Sequence, residues 1–225
     1  MCSKFISVCL VLILCLASTS FGYIIGDWEE DMDGWEITSG GNFSPGSTTG
    51  VTRGSGSLKV TEPMEVEPPY LEVWGIQAFF DGDNAPGPEG SEVFEAFGTL
   101  DTFKIDVTWY PPEYPPIGGT SSGTIYLYLF GMYPDYSDVF MKSATWDLTP
   151  DITQTLVLSW SDEDLGIPSD PDWQPAYFLI TVSTPSEGLY TLMSDYYLDN
   201  AQLVPEPATI VLLGLGGLAL IRRKQ

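Results

Sequence analysis

The chain has 225 residues, 44% of them hydrophobic and 13% aromatic, enough for one ordinary domain with a real core plus accessory segments. Its formal charge of −23 comes from 31 acids against eight cations, which excludes nucleic acid as a partner because no phosphate-neutralising patch can form. Histidine is absent and the cysteines, Cys2, Cys9 and Cys15, all lie near the N-terminus, so Ser–His and Cys–His catalysis and His-ligated zinc are excluded.

The chain opens with Lys4, the apolar run FISVCLVLILCLA and the small residues STSFG. A single cation, an apolar stretch of about a dozen residues and a small pair at Ser20 and Gly22 read as a secretory signal peptide over residues 1–22, with cleavage before Tyr23. A buried N-terminal helix is the alternative. Removal of the leader would take every cysteine with it, leaving a body without disulfides or thiolate metal sites.

From Tyr23 to Val204 short alternating runs are separated by Gly, Pro, Asn and Asp. The first strands are expected in GSLKVTE (56–62) and EVWGIQAFF (72–80). TFKIDVTWY (102–110) puts Phe103, Ile105, Val107 and Trp109 on one face and Lys104, Asp106 and Thr108 on a wet one. TIYLYLFGMY (124–133) is apolar on both faces and suits a central strand; TQTLVLSW (153–160), AYFLITVS (176–183) and SDYYLDNAQLV (194–204) continue the series. Breaker-rich connections fall at 81–90, 110–119 and 166–175, and only Glu92–Phe97 and Leu148–Ile152 suit single helical turns. Roughly seven to nine strands with turns between them predict an all-β sandwich or jelly roll over residues 23–204.

The two ends of this body, WEEDMDGW (28–35) followed by GSLKV (56–60), and YYLDNAQL (196–203), resemble jelly-roll carbohydrate-binding modules of the galactose-binding-like type. That resemblance implies that the first and last strands lie close together with a structural calcium between them, Glu29 and Asp199 being its matching carboxylates. Asp31 and Asp33 extend the set, since their D-x-D-G spacing is similar to the start of a calcium loop and calcium takes several hard oxygens. A solvated acidic turn is the alternative reading of the same residues. DGDN (81–84), SDED (161–164) and SDPD (169–172) are weaker calcium candidates.

Seven tryptophans and twelve tyrosines suit sugar binding, since aromatic faces pack on the C–H faces of pyranose rings. Trp35, Trp74, Trp109, Trp146, Trp160 and Trp173, with Tyr126, Tyr128 and Tyr133, are the candidates, each weighed against ordinary sandwich packing. Trp173, in a Pro- and Asp-rich loop, is the expected exposed platform. Among 31 acids no pair stands out as glycosidase carboxylates.

The chain ends VPEPATIVLLGLGGLALIRRKQ. The uncharged stretch 208–221 would span roughly 21 Å as a helix, short of the ~30 Å hydrocarbon core. Arg222, Arg223 and Lys224 supply a positive-inside stop and snorkelling length. Pro-Glu-Pro, a Gly-rich apolar run and an Arg-rich end resemble the PEP-CTERM sorting signal of Gram-negative bacteria. That resemblance implies export, transient inner-membrane association through a short apolar helix over 205–225, and recognition near Pro205, Glu206 and Pro207 by an exosortase-type enzyme.

The expectation is thus an exported, non-catalytic surface or matrix protein, an all-β jelly-roll sandwich between a signal helix and a C-terminal hydrophobic helix, which binds polysaccharide and carries a candidate structural calcium. A secreted carboxylate-dependent polysaccharide hydrolase or lyase is the alternative.

Overall fold

Alternation of apolar and polar residues decides the architecture. The computed structural model of the protein describes residues 22–62, 72–113, 123–168, 173–185 and 194–204. The expected leader helix and C-terminal helix lie outside these residues.

Eleven strands are present among the described residues: β1 Tyr23–Gly26, β2 Glu36–Ser39, β3 Asn42–Ser44, β4 Leu58–Thr61, β5 Glu72–Phe80, β6 Thr102–Tyr110, β7 Thr124–Met132, β8 Val139–Asp147, β9 Thr153–Ser159, β10 Tyr177–Pro185 and β11 Asp195–Val204. They form two sheets, one ordered β3-β4-β11-β6-β9 and the other β2-β5-β10-β7-β8, with all of these neighbours antiparallel. The order is that of a jelly-roll sandwich, as expected, and the two ends of the body do meet: β1 pairs with β11, Tyr23 opposite Leu203. Because β6 runs along nearly all of β11, its other edge is shared between β4 at Asp195–Leu198 and β1 at Ala201–Leu203. The last strand of the body is therefore its most heavily partnered one.

The core lies between the sheets. Phe103, Ile105, Val107 and Trp109 of β6 face Ile125, Leu127 and Leu129 of β7 and Phe178, Ile180 and Val182 of β10, all of them buried. One end of the sandwich is closed by a helix, α1 (Gly90–Ala96), and the 3-10 turn Phe97–Thr99 after it. Phe97 brings its ring against Phe140, Trp160, Trp173 and Phe178 at 4.4 to 6.4 Å. Burying each such side chain contributes about 1.5–3 kcal/mol relative to leaving it in water. A second cluster joins Trp28 to Trp35, whose indole N–H donates to Ile25 O at 2.6 Å.

Three local expectations differ from the structure. The outer face of β6 is not wet: Asp106 is 7% and Thr108 2% exposed. The segment between β3 and β4 lies over it, with Thr52 Oγ1 donating to Asp106 Oδ2 at 2.7 Å, while the Thr108 and Thr153 hydroxyls bond at 2.6 Å. Leu148–Ile152 is a turn with an isolated bridge between Trp109 and Pro150, not a helical turn. The short helix instead falls at SDED: α2 (Asp162–Leu165), with Ser161 and Asp164 forming a capping box and Gly166 closing it in the left-handed region.

Candidate functional site

The strict alternation of β7 sends Ile125, Leu127 and Leu129 into the core and leaves Tyr126, Tyr128 and Phe130 half-buried on the opposite face. This face, expected to be covered because its residues are apolar, is therefore open to solvent. Neighbouring strands add residues of the same parity. Leu179 of β10 stands between Phe130 of β7 and Phe79 of β5. Thr181 stands between Tyr128 and Gln77, and Glu36 of β2 follows beyond Gln77. Ser143 and Met141 of β8 complete the two rows on the far side.

The rings form a continuous surface. Tyr126 and Tyr128 lie 6.3 Å apart at 18°, and Tyr128 and Phe130 6.2 Å apart at 20°, so three nearly parallel rings run straight along β7. Tyr177 links this row to β5, 6.3 Å from Phe130 and 5.3 Å from Phe79. Burial, with Tyr126 adjacent, pushes the Tyr128 phenol above its ordinary range, so it stays a neutral donor and acceptor at physiological pH. Five strands at about 4.8 Å spacing make the face about 19 Å wide.

At the β5 side the face deepens into an open pocket of about 670 Å³, lined by Gly34, Glu36, Gln77, Phe79, Asp83 and Asn84 with Ala85 and Pro86. Gln77 Nε2 donates to Glu36 Oε2 at 3.2 Å. The 81–84 turn is built by Asp81, whose carboxylate accepts from Asp83 N, Asn84 N and Asn84 Nδ2 at 2.6 to 3.2 Å. Those donors hold Asp81 below the usual carboxylate range. The acidic run read as a weak calcium candidate thus shapes a pocket wall.

The other candidates fall elsewhere. Trp35, Trp74, Trp109 and Trp160 are core residues, 0 to 4% exposed. Trp146 and Tyr133 are half-buried against the core, and the Tyr133 hydroxyl donates to Leu165 O and Gly166 O. Trp173 is not the exposed platform expected: it packs against Phe97, Tyr133 and Phe140 at 5.7 to 6.4 Å, because the aromatic cluster closing the end of the sandwich draws it inward.

Nor do the calcium candidates gather. Glu29 accepts from the Ser55 amide at 2.6 Å and from the Ser55 hydroxyl, which hold it below its ordinary range. Asp31 accepts from Asp33 N at 2.7 Å. Asp33 accepts from Asp27 N and Trp28 N at 2.8 and 2.7 Å, and burial raises it. Asp199 accepts from Thr52 N, Arg53 N and Thr52 Oγ1 on one oxygen and Asn200 N on the other, and burial raises it too. Each carboxylate is occupied by donors, and among the described residues no three acids form a metal-holding group. What Glu29 and Asp199 do share is the segment between β3 and β4. It passes so close that a side chain at Gly54, already at φ +68°, would run into Glu29.

Comparison with known proteins gives two findings. Residues 203–225 match the PEP-CTERM protein-sorting motif, so the chain carries that signal, which implies export, cell-surface association and processing by an exosortase. The motif starts inside β11, at Leu203 and Val204, with no spacer. Its Pro205, Glu206, Pro207, Arg222, Arg223 and Lys224 lie outside the described residues. The structure is similar to the C-terminal family 22 carbohydrate-binding module of Clostridium thermocellum Xyn10B, at TM-score 0.50 and 15% identity over 83% of this chain and 96% of that one. A xylan-binding domain of the same family follows, at TM-score 0.49 and 15% identity over 82% and 94%. A module specific for non-crystalline cellulose gives 0.49 and 11% over 81% and 93%. At these identities the likeness is one of fold. No curated protein sequence matches the chain.

Proposed function

We propose that the protein is an exported, non-catalytic surface or matrix component that binds polysaccharide on the aromatic face of its second sheet. The observation that carries this reading is the straight row Tyr126–Tyr128–Phe130, continued through Tyr177 to Phe79 and bordered by Gln77, Thr181 and Glu36. Rings held at half exposure offer apolar area to a sugar, and the polar residues beside them bond hydroxyls and set orientation. A solved domain of similar fold is a family 22 carbohydrate-binding module, which supports the same reading. The tail holds the protein transiently at the inner membrane until the exosortase releases it to the surface or its polymer.

The test is a broad glycan screen with the exported chain and its Tyr128→Ala variant. Wild type binds at least one polysaccharide and the variant loses at least tenfold; no binding anywhere on the panel overturns the reading. Release of new chain ends by wild type, abolished by Glu36→Gln or Asp83→Asn, would replace it with the hydrolase alternative.

A further inference from the structure

The pocket beside Phe79 has an unequal supply of hydrogen-bonding groups. Each of its side-chain amides spends donor capacity within the protein, Gln77 Nε2 on Glu36 and Asn84 Nδ2 on Asp81. Its acceptors are the Glu36 and Asp83 carboxylates and the amide oxygens of Gln77 and Asn84. Acceptors therefore outnumber the donors left over, and a ligand rich in donors fits the pocket best.

The cations of the body are placed to the same effect. Lys59 and Lys104 belong to the other sheet, Lys59 paired with Asp195 at 2.8 Å, and Arg53 lies in the segment that covers that sheet. Lys142 is on β8, but with the parity of core-facing Phe140 rather than of Met141 and Ser143, and it pairs with Asp164 of α2 at 3.1 Å. Among the described residues, then, no Lys or Arg stands on the aromatic face, while Glu36 and Asp83 do stand at its pocket.

We propose that this pocket sorts glycans by charge: it prefers amine-bearing sugar units over neutral ones and rejects uronates. The proposal rests on the sugar-binding reading above. A protonated amine brings three donors and a positive charge to two carboxylates. A hydroxyl brings one donor. A uronate carboxylate brings only acceptors and a like charge, with no cation to receive it.

The test uses three β-1,4-linked hexamers that share one backbone: cellohexaose, the glucosamine hexamer and the glucuronate hexamer. A straight ribbon of this kind matches the straight row of rings. Binding to the exported full chain is measured by calorimetry at 150 mM salt, at a pH where the amine is protonated. The expected order is amine, then neutral, then uronate, with about tenfold between the last two, equivalent to ~1.4 kcal/mol. Glu36→Gln with Asp83→Asn should bring the three to within about threefold of one another, or ~0.7 kcal/mol. That double variant removes only two of 31 acids, so diffuse attraction of the amine hexamer to an acidic protein would survive it and overturn the proposal. Equal binding of uronate and neutral hexamers overturns the proposal and leaves the sugar reading standing. No binding of any hexamer overturns both for this backbone.

Discussion

Asp106 and Asp199 stand opposite each other on β6 and β11 and accept from the same hydroxyl, Thr52 Oγ1, at 2.7 and 3.0 Å. Neither has a basic side chain among its hydrogen-bond partners; Asn200 and Thr155 complete the set around Asp106. One proton serving two buried carboxylates makes Thr52 the fastening of the segment between β3 and β4. Thr52→Val should cost about 1–2 kcal/mol by leaving both acids short of a donor. Thr52→Ser should recover most of that in urea unfolding. Because donors already satisfy Glu29 and Asp199, chelator should leave the melting temperature unchanged. A calcium-dependent rise that Glu29→Gln removes would restore the metal.

Glu62 is the buried acid with the largest consequence for pH. Burial pushes it from 4.5 to about 7, against the donors Ser194 and Tyr196. Between those values the folded state holds a proton the unfolded state has lost, so this group destabilises increasingly as pH rises and its penalty is complete above about 7. A shift of that size corresponds to about 3 kcal/mol. Glu62→Gln keeps an acceptor for Tyr196 and removes the charge. It should therefore be the more stable protein at pH 8 and lose its advantage by pH 4, as read from urea midpoints of the pair.

Thr184 of β10 sits opposite Trp74 with 2% exposure, and neither its hydroxyl nor the Trp74 indole N–H has a hydrogen-bond partner among the described residues. Thr184→Val exchanges an unsatisfied hydroxyl for a methyl group of similar volume. It should raise stability by about 1 kcal/mol in thermal unfolding, where a loss would show that the hydroxyl is bonded.

Tyr128 and Trp173 should separate binding from stability. Trp173→Ala removes a ring packed on Phe97, Tyr133 and Phe140 and should cost about 2–4 kcal/mol without changing sugar affinity below the transition. Tyr128→Ala should do the reverse. A Trp173 variant that folds normally and fails to bind would move the site to the end of the sandwich.

What could be read from the sequence follows the reach of each signal. Period-2 alternation is local, so it places Phe103, Ile105, Val107 and Trp109 in the core, where they lie, and β6 has the expected bounds. The burial of Asp106 was not legible, because Thr52, which covers it, lies 54 positions away. β8 gave no signal since Phe140 is its one fully buried residue. Pro and Asp around Trp173 marked a loop but not its exposure. The pocket was invisible for a different reason: Glu36, Gln77 and Asp83 are individually ordinary, and only cross-strand register and a turn bring them together. Tyr126 and Tyr128, which stand with Tyr133 among the sequence candidates, do share the outer face of β7, and Tyr133 does not join them.

β11 is the last of the described strands along the chain yet occupies the middle of its sheet, and the sorting motif begins on its final two residues. A body lacking residues 195–204 would leave β6, β4 and β1 each with a bare edge, since all three close on that one strand. The sheet can therefore be completed only once residues 195–204, which lead directly into the sorting motif, are available to pair. A chain cut short before Asp195 would keep three unpaired strand edges, so integrity of this sheet depends on the residues next to the address.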